Sequence, residues 1–297
     1  MTILQRALTP ARVRGYLGLG VDQVAGYTVV AADVAWATTP ATLIEAHGLG
    51  FPGTPFHPGA PSIEVLRFET PPFARLLEAT GANSAEGRER TGGLLVDHPP
   101  FTGTGFAATP DHLVPLWWLD AARLPAGAEI WRVHSDGREE LLAVYTDVSA
   151  GWSPVVAMTG QTHSLPSDVL GGFGSWRGSS CLVDTLPDGA AVVASFTEIP
   201  GSGMTLGPRG VWSRTVAAIE LTEPHGVRLT AVWRGAPFLV THRWRQDDGL
   251  WARLFFLGRD AFEAEALGLE KVDAGVYEAS VPIDQLGDIR AAELTTA

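Results

Sequence analysis

The stretch "LTAVWRGAPFLVTHRWRQDDGLWARLFFLG", residues 229–258, decides the fold class. Its apolar and charged residues alternate with the period of two that is typical of β-strands. Asp247-Asp248-Gly249 supplies a turn between two of the apolar runs. We therefore interpret this stretch as strands of an antiparallel sheet, with Trp233, Phe238, Val240 and Trp244 assigned to packing.

The same alternation predicts a cationic face on this sheet. If both segments are strands, Arg234 points away from Trp233 and Gly235, and Arg243 and Arg245 point away from Trp244. A half-buried antiparallel sheet has this pattern, and so does a surface that recognises a partner. Arg234, Arg243 and Arg245 are therefore candidate binding residues.

Working outward, strands dominate the rest of the second half. Strand patterns occupy residues 181–186, 190–199, 214–222, 227–233, 237–244, 251–258 and 275–283. A single short helix is predicted at 260–269. This half is expected to be a curled antiparallel sheet or a small barrel covered by one short helix.

The first half has mixed signals. Thr9-Pro10 and Thr39-Pro40 start two short helices that end near Gly20 and Gly48. Further patterns predict a third helix at 71–82, a polar excursion at 83–93, strands at 27–36 and 62–68, and a hairpin at 128–147.

Together these patterns predict an α+β fold in two lobes. Residues 1–155 form a mixed α/β lobe and residues 165–297 a β-rich lobe. The segment 151–180 is rich in glycine, serine and proline, and we expect it to be the connection or a long site-forming loop.

Composition narrows the function classes. The 297 residues carry a formal net charge of -12 and a single lysine, Lys271. This charge disfavours nucleic acid as a partner, because binding to phosphates rests on lysine and arginine. The scarcity of lysine and the abundance of alanine and glycine indicate a GC-rich bacterial genome. No apolar run of about 18 residues occurs, so we expect a soluble, cytoplasmic protein without a membrane contact.

Catalytic and metal-binding signatures are missing from the sequence. One cysteine, Cys181, excludes an intramolecular disulfide and a multi-cysteine zinc site. The eight histidines include no pair at helical i, i+4 spacing and no HExxH motif. No phosphate-binding glycine loop or nucleophile elbow is present. No cofactor and no metal are predicted.

The segment 98–120, "HPPFTGTGFAATPDHLVPLWWLD", looks most like a site in the first half. Thr104 offers a hydroxyl between two glycines that allow a close backbone approach. Trp117 and Trp118 are adjacent on a predicted strand, so one should be in the core and the other exposed or at a lobe interface. These three residues join the candidate binding set.

Residues 34–50, "VAWATTPATLIEAHGLG", followed by 101–133, "FTGTGFAATPDHLVPLWWLDAARLPAGAEIWRV", resemble ADP-ribosyltransferase domains over residues 27–145. The order of strand, Thr-Pro-initiated helix and later strand is similar. Trp36 stands near the family's NAD-contacting Arg or His, FAATP at 106–110 replaces its Ser-Thr-Ser, and its glutamate motif is missing. The resemblance implies a diverged NAD-cleaving or transferase site around Trp36, Thr39, His98, Thr104 and Glu129.

Because candidate catalytic groups lack partners while aromatic and arginine features recur on strands, binding is favoured over chemistry. The sequence therefore predicts an acidic protein-recognition module. An immunity or antitoxin protein that masks a toxin's basic or nucleotide-binding cleft is its specific form. The diverged enzyme and a prophage or structural component are the alternatives. The oligomeric state stays open.

Overall fold

A computed structural model describes residues 2–91, 93, 95–96, 102–155 and 162–295. Its α-helices are α1 (Pro10–Leu19), α2 (Pro40–Ala46), α3 (Ala85–Thr91) and α4 (Ala261–Ala266), and short 3₁₀ turns lie at Ala31–Val34, Ala218–Glu220 and Ile283–Gln285. Within these ranges, no helix has the length and apolarity needed to cross a lipid bilayer.

Strands make up most of the structure. They are β1 (Ile3–Leu8), β2 (Gln23–Val30), β3 (Ser62–Glu69), β4 (Leu76–Glu78), β5 (Gly81–Ala82), β6 (Leu95–Val96), β7 (Phe106–Ala108), β8 (Leu113–Pro115), β9 (Trp117–Arg123), β10 (Ala128–His134), β11 (Glu139–Asp147), β12 (Gly151–Pro154), β13 (Leu170–Trp176), β14 (Ser179–Thr185), β15 (Ala190–Ser195), β16 (Thr205–Leu206), β17 (Trp212–Ala217), β18 (Thr222–Trp233), β19 (Ala236–Gln246), β20 (Gly249–Phe256), β21 (Glu270–Asp273), β22 (Val276–Pro282) and β23 (Gly287–Leu294).

The strands between residues 3 and 154 form the first large sheet, in the order β12-β11-β10-β3-β1-β2-β9-β4. All of its pairs are antiparallel. The predicted hairpin at 128–147 is confirmed as β10 and β11. The small pairs β5-β6 and β7-β8 lie outside this sheet.

The strands between residues 170 and 294 form the second large sheet, in the order β16-β17-β15-β14-β13-β18-β19-β20-β22-β21, with β23 paired to β18. The long strand β18 pairs with β13 along residues 222–228 and with β19 along 230–233. Strand β23 pairs with β18 along 226–232. The second half is antiparallel and carries the helix α4, as predicted.

Two parts of the predicted fold class need correction. Strands predominate in both halves, so the α+β description holds only roughly. The sheets do not close into a barrel, and the barrel alternative is therefore wrong. Within the described residues, the end strands β12 and β4 of the first sheet do not pair with each other, and neither do β16 and β21 of the second, so both sheets stay open.

Side chains from both sheets share the largest buried cluster. Val29 and Val65 of the first sheet pack in one cluster with Leu239, Phe255 and Val276 of the second. Buried ion pairs also join the halves, among them Arg123 with Asp184 and Arg209 with Asp22, each at 2.9 Å. The division into lobes at 1–155 and 165–297 remains a prediction.

Local signals located the first two helices. The Thr9 side chain accepts a hydrogen bond from the amide of Arg12, and Gly20 ends α1 with a left-handed φ of 69°. The Thr39 side chain accepts from the amide of Thr42 at the start of α2. Both helix starts are confirmed.

Three segment predictions were wrong. The predicted helix at 71–82 contains β4, which pairs with β9 at the edge of the first sheet. The predicted excursion at 83–93 contains α3, where the Ser84 hydroxyl accepts from the amide of Gly87. The predicted connection at 151–180 contains β12 and β13, so only residues 155–169 separate the sheets.

Candidate functional site

A cleft of about 690 Å³ lies between the two sheets. This volume is in the range of roughly 300–1,000 Å³ that small-molecule sites occupy. Strand β9 of the first sheet and strands β13, β14 and β18 of the second contribute to its walls. Apolar side chains dominate these walls, among them Phe73, Leu124, Phe173, Leu186, Val227 and Leu239.

Arg123 and Asp184 form a buried ion pair within the cleft lining. The Arg123 guanidinium donates to Asp184 Oδ1 over 2.9 Å and to the carbonyl of Val183 over 2.7 Å. It also donates to the carbonyls of Leu170 and Gly172. Arg123 is 4% exposed and Asp184 6%. The pair is thus closed off from water and held by the strands of the second sheet.

Burial shapes the protonation of this pair. Desolvation raises the pKa of Asp184 above its ordinary value, even though Arg123 opposes the shift. Desolvation lowers the pKa of Arg123, but the nearby carboxylate of Asp184 and further acidic groups outweigh it and raise the pKa overall. Arg123 therefore stays a cation, while Asp184 is a weaker acid than in water.

Glycines in β13 and β18 allow these side chains to approach the backbone. A Cβ at Gly171, whose φ is 109°, would lie 2.6 Å from the Arg123 guanidinium carbon. A Cβ at Gly226 would lie 2.5 Å from the Phe73 side chain. Both positions require glycine, because any larger residue would displace Arg123 from its carbonyls or Phe73 from the wall of the cleft.

Next to the cleft, two arginines share one carboxylate. Asp120 is 1% exposed and accepts from Arg228 over 3.3 Å, from Arg259 over 3.1 Å and from the Trp118 indole over 3.2 Å. The Asp120 amide donates to the carbonyl of Arg75. Arg75 and Arg228 both line the cleft. This side of the cleft therefore carries more positive than negative charge.

The structure separates the two predicted tryptophans as alternation requires. Trp118 is buried, with its ring centroid 6.4 Å from that of Phe255 in the second sheet. Trp117 is half-buried, and its indole nitrogen has no hydrogen-bond partner in the described part of the chain. Thr104 is exposed and donates to the carbonyl of Phe106. None of the three lines the cleft.

The predicted cationic face of Arg234, Arg243 and Arg245 does not form. Arg234 has a φ of 50° in the two-residue turn between β18 and β19, where it lies 4.3 Å from the Trp233 ring centroid. Alternation failed there because turn residues do not follow the strand period. The other two arginines lie near the opposite end of β19.

Those two arginines also differ from each other. Arg243 donates to Asp168 over 2.5 Å, so its charge is paired. Arg245 is exposed, and its side chain forms no hydrogen bond or ion pair within the described ranges. Whether the three arginines bind a partner stays a prediction.

The residues of the alternative NAD site are engaged separately. The Trp36 ring stacks on His112 with centroids 4.1 Å apart, Thr39 caps α2, and Glu129 accepts from the Trp131 indole. No hydrogen bond or ring contact joins Trp36, Thr39, Thr104 and Glu129 to one another in the described ranges. His98 lies outside the described residues. No group of three or more histidine, cysteine, aspartate or glutamate side chains placed to hold a metal occurs in that part of the chain either.

Sequence reasoning missed the central residues of the cleft. Asp120 and Arg123 are charged residues inside the apolar run 117–124, and such residues are rarely buried unless paired. The adjacent Gly171 and Gly172 were a second signal, since glycine inside a strand marks a close approach. Comparison with protein-family models, curated proteins and solved structures found no match.

Proposed function

We propose that this protein is a binding protein whose site is the cleft between the two sheets. The observation that carries the proposal is a cleft of about 690 Å³ with apolar walls, in which Arg123 and Asp184 neutralise each other. Apolar surface removed from water stabilises a complex by about 25 cal/mol per Å². Such a cleft suits a small molecule with a substantial apolar part.

Binding is favoured over catalysis by the state of the charged groups. The Arg123 guanidinium donates to carbonyls as well as to Asp184, so it serves the architecture of the cleft. A general acid or base has to come within hydrogen-bond reach of the substrate. The Asp184 side chain is only 5% exposed, which keeps it from that role.

Titration of the full chain with decanol and with decanoate tests the proposal, with displacement of fluorescent 1-aminoanthracene as readout. We expect saturable 1:1 binding of at least one of them. Ala121→Phe, which fills part of the cleft, should weaken binding about tenfold or more. Leu113→Ala, at a 67% exposed side chain on β8, is the matched control. Absence of saturable binding, or equal binding by folded Ala121→Phe, would overturn the proposal.

Protein recognition is a second candidate, and β23 is the observation that favours it. This strand pairs with β18 alone in the described part of the chain, and its residues are almost all exposed. An unpaired strand edge is a template for an extended segment of another chain. Given the net charge of -12, we propose a segment of a basic protein as the occupant, and a toxin masked by an immunity protein is the specific case.

Capture of partner proteins from the source lysate tests this second candidate when the wild type is compared with two surface variants. Ile289→Asp changes β23 at a 48% exposed position, whereas Ile219→Asp changes a 92% exposed position outside it. A stoichiometric basic partner should bind the wild type and Ile219→Asp but be lost with Ile289→Asp. A partner retained equally by all three, or no partner at all, would contradict recognition through β23.

A further inference from the structure

We propose that the ligand of the cleft is an amphipathic anion, with its apolar part between the sheets and its anionic group, such as a carboxylate, on Arg75 and Arg228. The inference rests on the proposed function and names the chemical class of its ligand. The charge of the cleft lining and the arginines beside Asp120 support this assignment.

The lining of the cleft differs in charge from the rest of the protein. The chain as a whole carries a formal charge of -12. The cleft is lined by three arginines, at positions 75, 123 and 228, and by two acidic residues, Glu69 and Asp184. The lining therefore has a formal charge of +1, opposite in sign to that of the whole molecule. Because Arg123 and Asp184 neutralise each other, the positive excess belongs to Arg75 and Arg228.

Asp120 is shared by two arginines beside the cleft. This one buried carboxylate accepts from both Arg228 and Arg259, so one of the two positive charges is left without a counter-charge. The Arg259 side chain is 10% exposed and that of Arg228 is 22% exposed. Arg228 also lines the cleft, and it is therefore the one of the two that a ligand can reach.

Arg75 also carries a charge that a ligand can reach. Its side chain is exposed and forms no hydrogen bond or ion pair within the described residues. Arg67, Arg132 and Arg243 show the contrast, since each is paired with a carboxylate. A hydrogen bond of 3.0 Å from the Asp120 amide to the Arg75 carbonyl holds the backbone of Arg75 next to the backbone of Asp120. Arg75 and Arg228 thus both line the apolar cleft, and guanidinium groups are the side chains best suited to bind a carboxylate.

Calorimetric titration of the full chain with decanoate, decanol and decyltrimethylammonium tests the inference. The three share a chain length and differ in head-group charge, and each is used at pH 8 below its micelle concentration. We expect decanoate to bind about tenfold or more tightly than decanol, since a charge-assisted hydrogen bond is worth that much, and decyltrimethylammonium to bind weakest.

Variants locate the head group. Arg75→Gln should reduce the preference for decanoate over decanol to within about twofold and leave decanol binding unchanged. Arg228→Gln should act in the same direction. Arg290→Gln on exposed β23 is the control. If decanol binds as tightly as decanoate, or if Arg75→Gln keeps the full preference, the anion assignment is wrong while the cleft remains a binding site. If none of the three compounds binds, the proposed function itself fails.

Discussion

The guanidinium of Arg123 on β9 lies 2.9 Å from the carboxylate of Asp184 on β14, so an ion pair closed off from water joins the two sheets. The two residues are 61 positions apart in the chain. Their side chains are 2% and 5% exposed. At such burial, the loss of one partner leaves an uncompensated charge in the interior, which costs far more than the pair itself contributes.

Arg123→Met should therefore lower the free energy of unfolding by about 3–5 kcal/mol. The double variant Arg123→Met/Asp184→Leu should recover much of that loss, because no unpaired charge remains. Urea denaturation at pH 7 measures both. Arg245→Met, at an exposed arginine of β19, is the matched control and should change stability by less than about 0.5 kcal/mol. Equal losses for Arg123→Met and the double variant would contradict the argument.

Replacing Gly15 or Gly20, two glycines of the α1 region, with alanine should change the stability of the protein in opposite directions. Gly15 lies inside the helix, and a Cβ there would meet only Val21 at an ordinary 3.8 Å. Gly15→Ala should stabilise the protein by about 0.5–1 kcal/mol, because glycine loses more conformational freedom on folding. Gly20 has a φ of 69°, and a Cβ there would lie 2.7 Å from the carbonyl of Thr162. Gly20→Ala should cost about 1–2 kcal/mol or more.

Thermal unfolding followed by circular dichroism checks this pair. The midpoint should rise for Gly15→Ala and fall for Gly20→Ala. A rise for Gly20→Ala would mean that the left-handed end of α1 does not limit stability, and a fall for Gly15→Ala would contradict the argument from the conformational freedom of glycine.

Two adjacent threonines precede α2, and only Thr39 caps the helix. Thr39 accepts from the amide of Thr42, and its own amide donates to the Thr42 hydroxyl. Thr39→Ala should cost about 1 kcal/mol in a denaturant titration. Thr38→Ala, at the preceding exposed position, should have little effect, since the Thr38 hydroxyl forms no hydrogen bond within the described part of the chain. A similar cost at both positions would show that the capping bonds contribute nothing specific.

The elements that could be predicted from the sequence are those specified by residues close together in the chain. Threonine caps and glycine stops define α1 and α2 within a few residues, and alternation with a turn defines β10, β11, β19 and β20. The helix predicted at 71–82 failed because β4 owes its form to pairing with β9, about forty residues away. The polar reading of 83–93 overlooked Ser84, whose hydroxyl caps α3.

The cleft could not be predicted from the sequence, because its residues also come from distant parts of the chain. Arg123 and Asp184 belong to different sheets, and Asp120 meets Arg228 and Arg259 only after more than a hundred residues. No spacing rule connects such positions. Within 229–258, the assignment of Phe238 and Val240 to packing is confirmed, whereas Arg234, predicted on a strand, occupies a turn.

His47 is a buried histidine whose pKa is lowered to about 3 by desolvation and by the charge of Arg6. Arg67 donates to the oxygen of the Gln5 amide, which leaves the Gln5 nitrogen facing His47 Nε2 at 3.2 Å. That nitrogen is a donor, so Nε2 accepts and the ring is neutral. A proton on Nε2 would set two donors against each other.

Below a pH of about 6.5, the unfolded chain therefore binds a proton at this histidine that the folded protein rejects. The stability that depends on neutral His47 is full above that pH and is lost as pH falls toward about 3. Between pH 7 and pH 5 the wild type should lose about 2 kcal/mol through this group. His47→Gln should lack that component, whereas His57→Gln, at an exposed histidine, should keep it. Urea titrations of the three proteins at both pH values measure the difference, and equal losses in wild type and His47→Gln would show that another group controls the acid sensitivity.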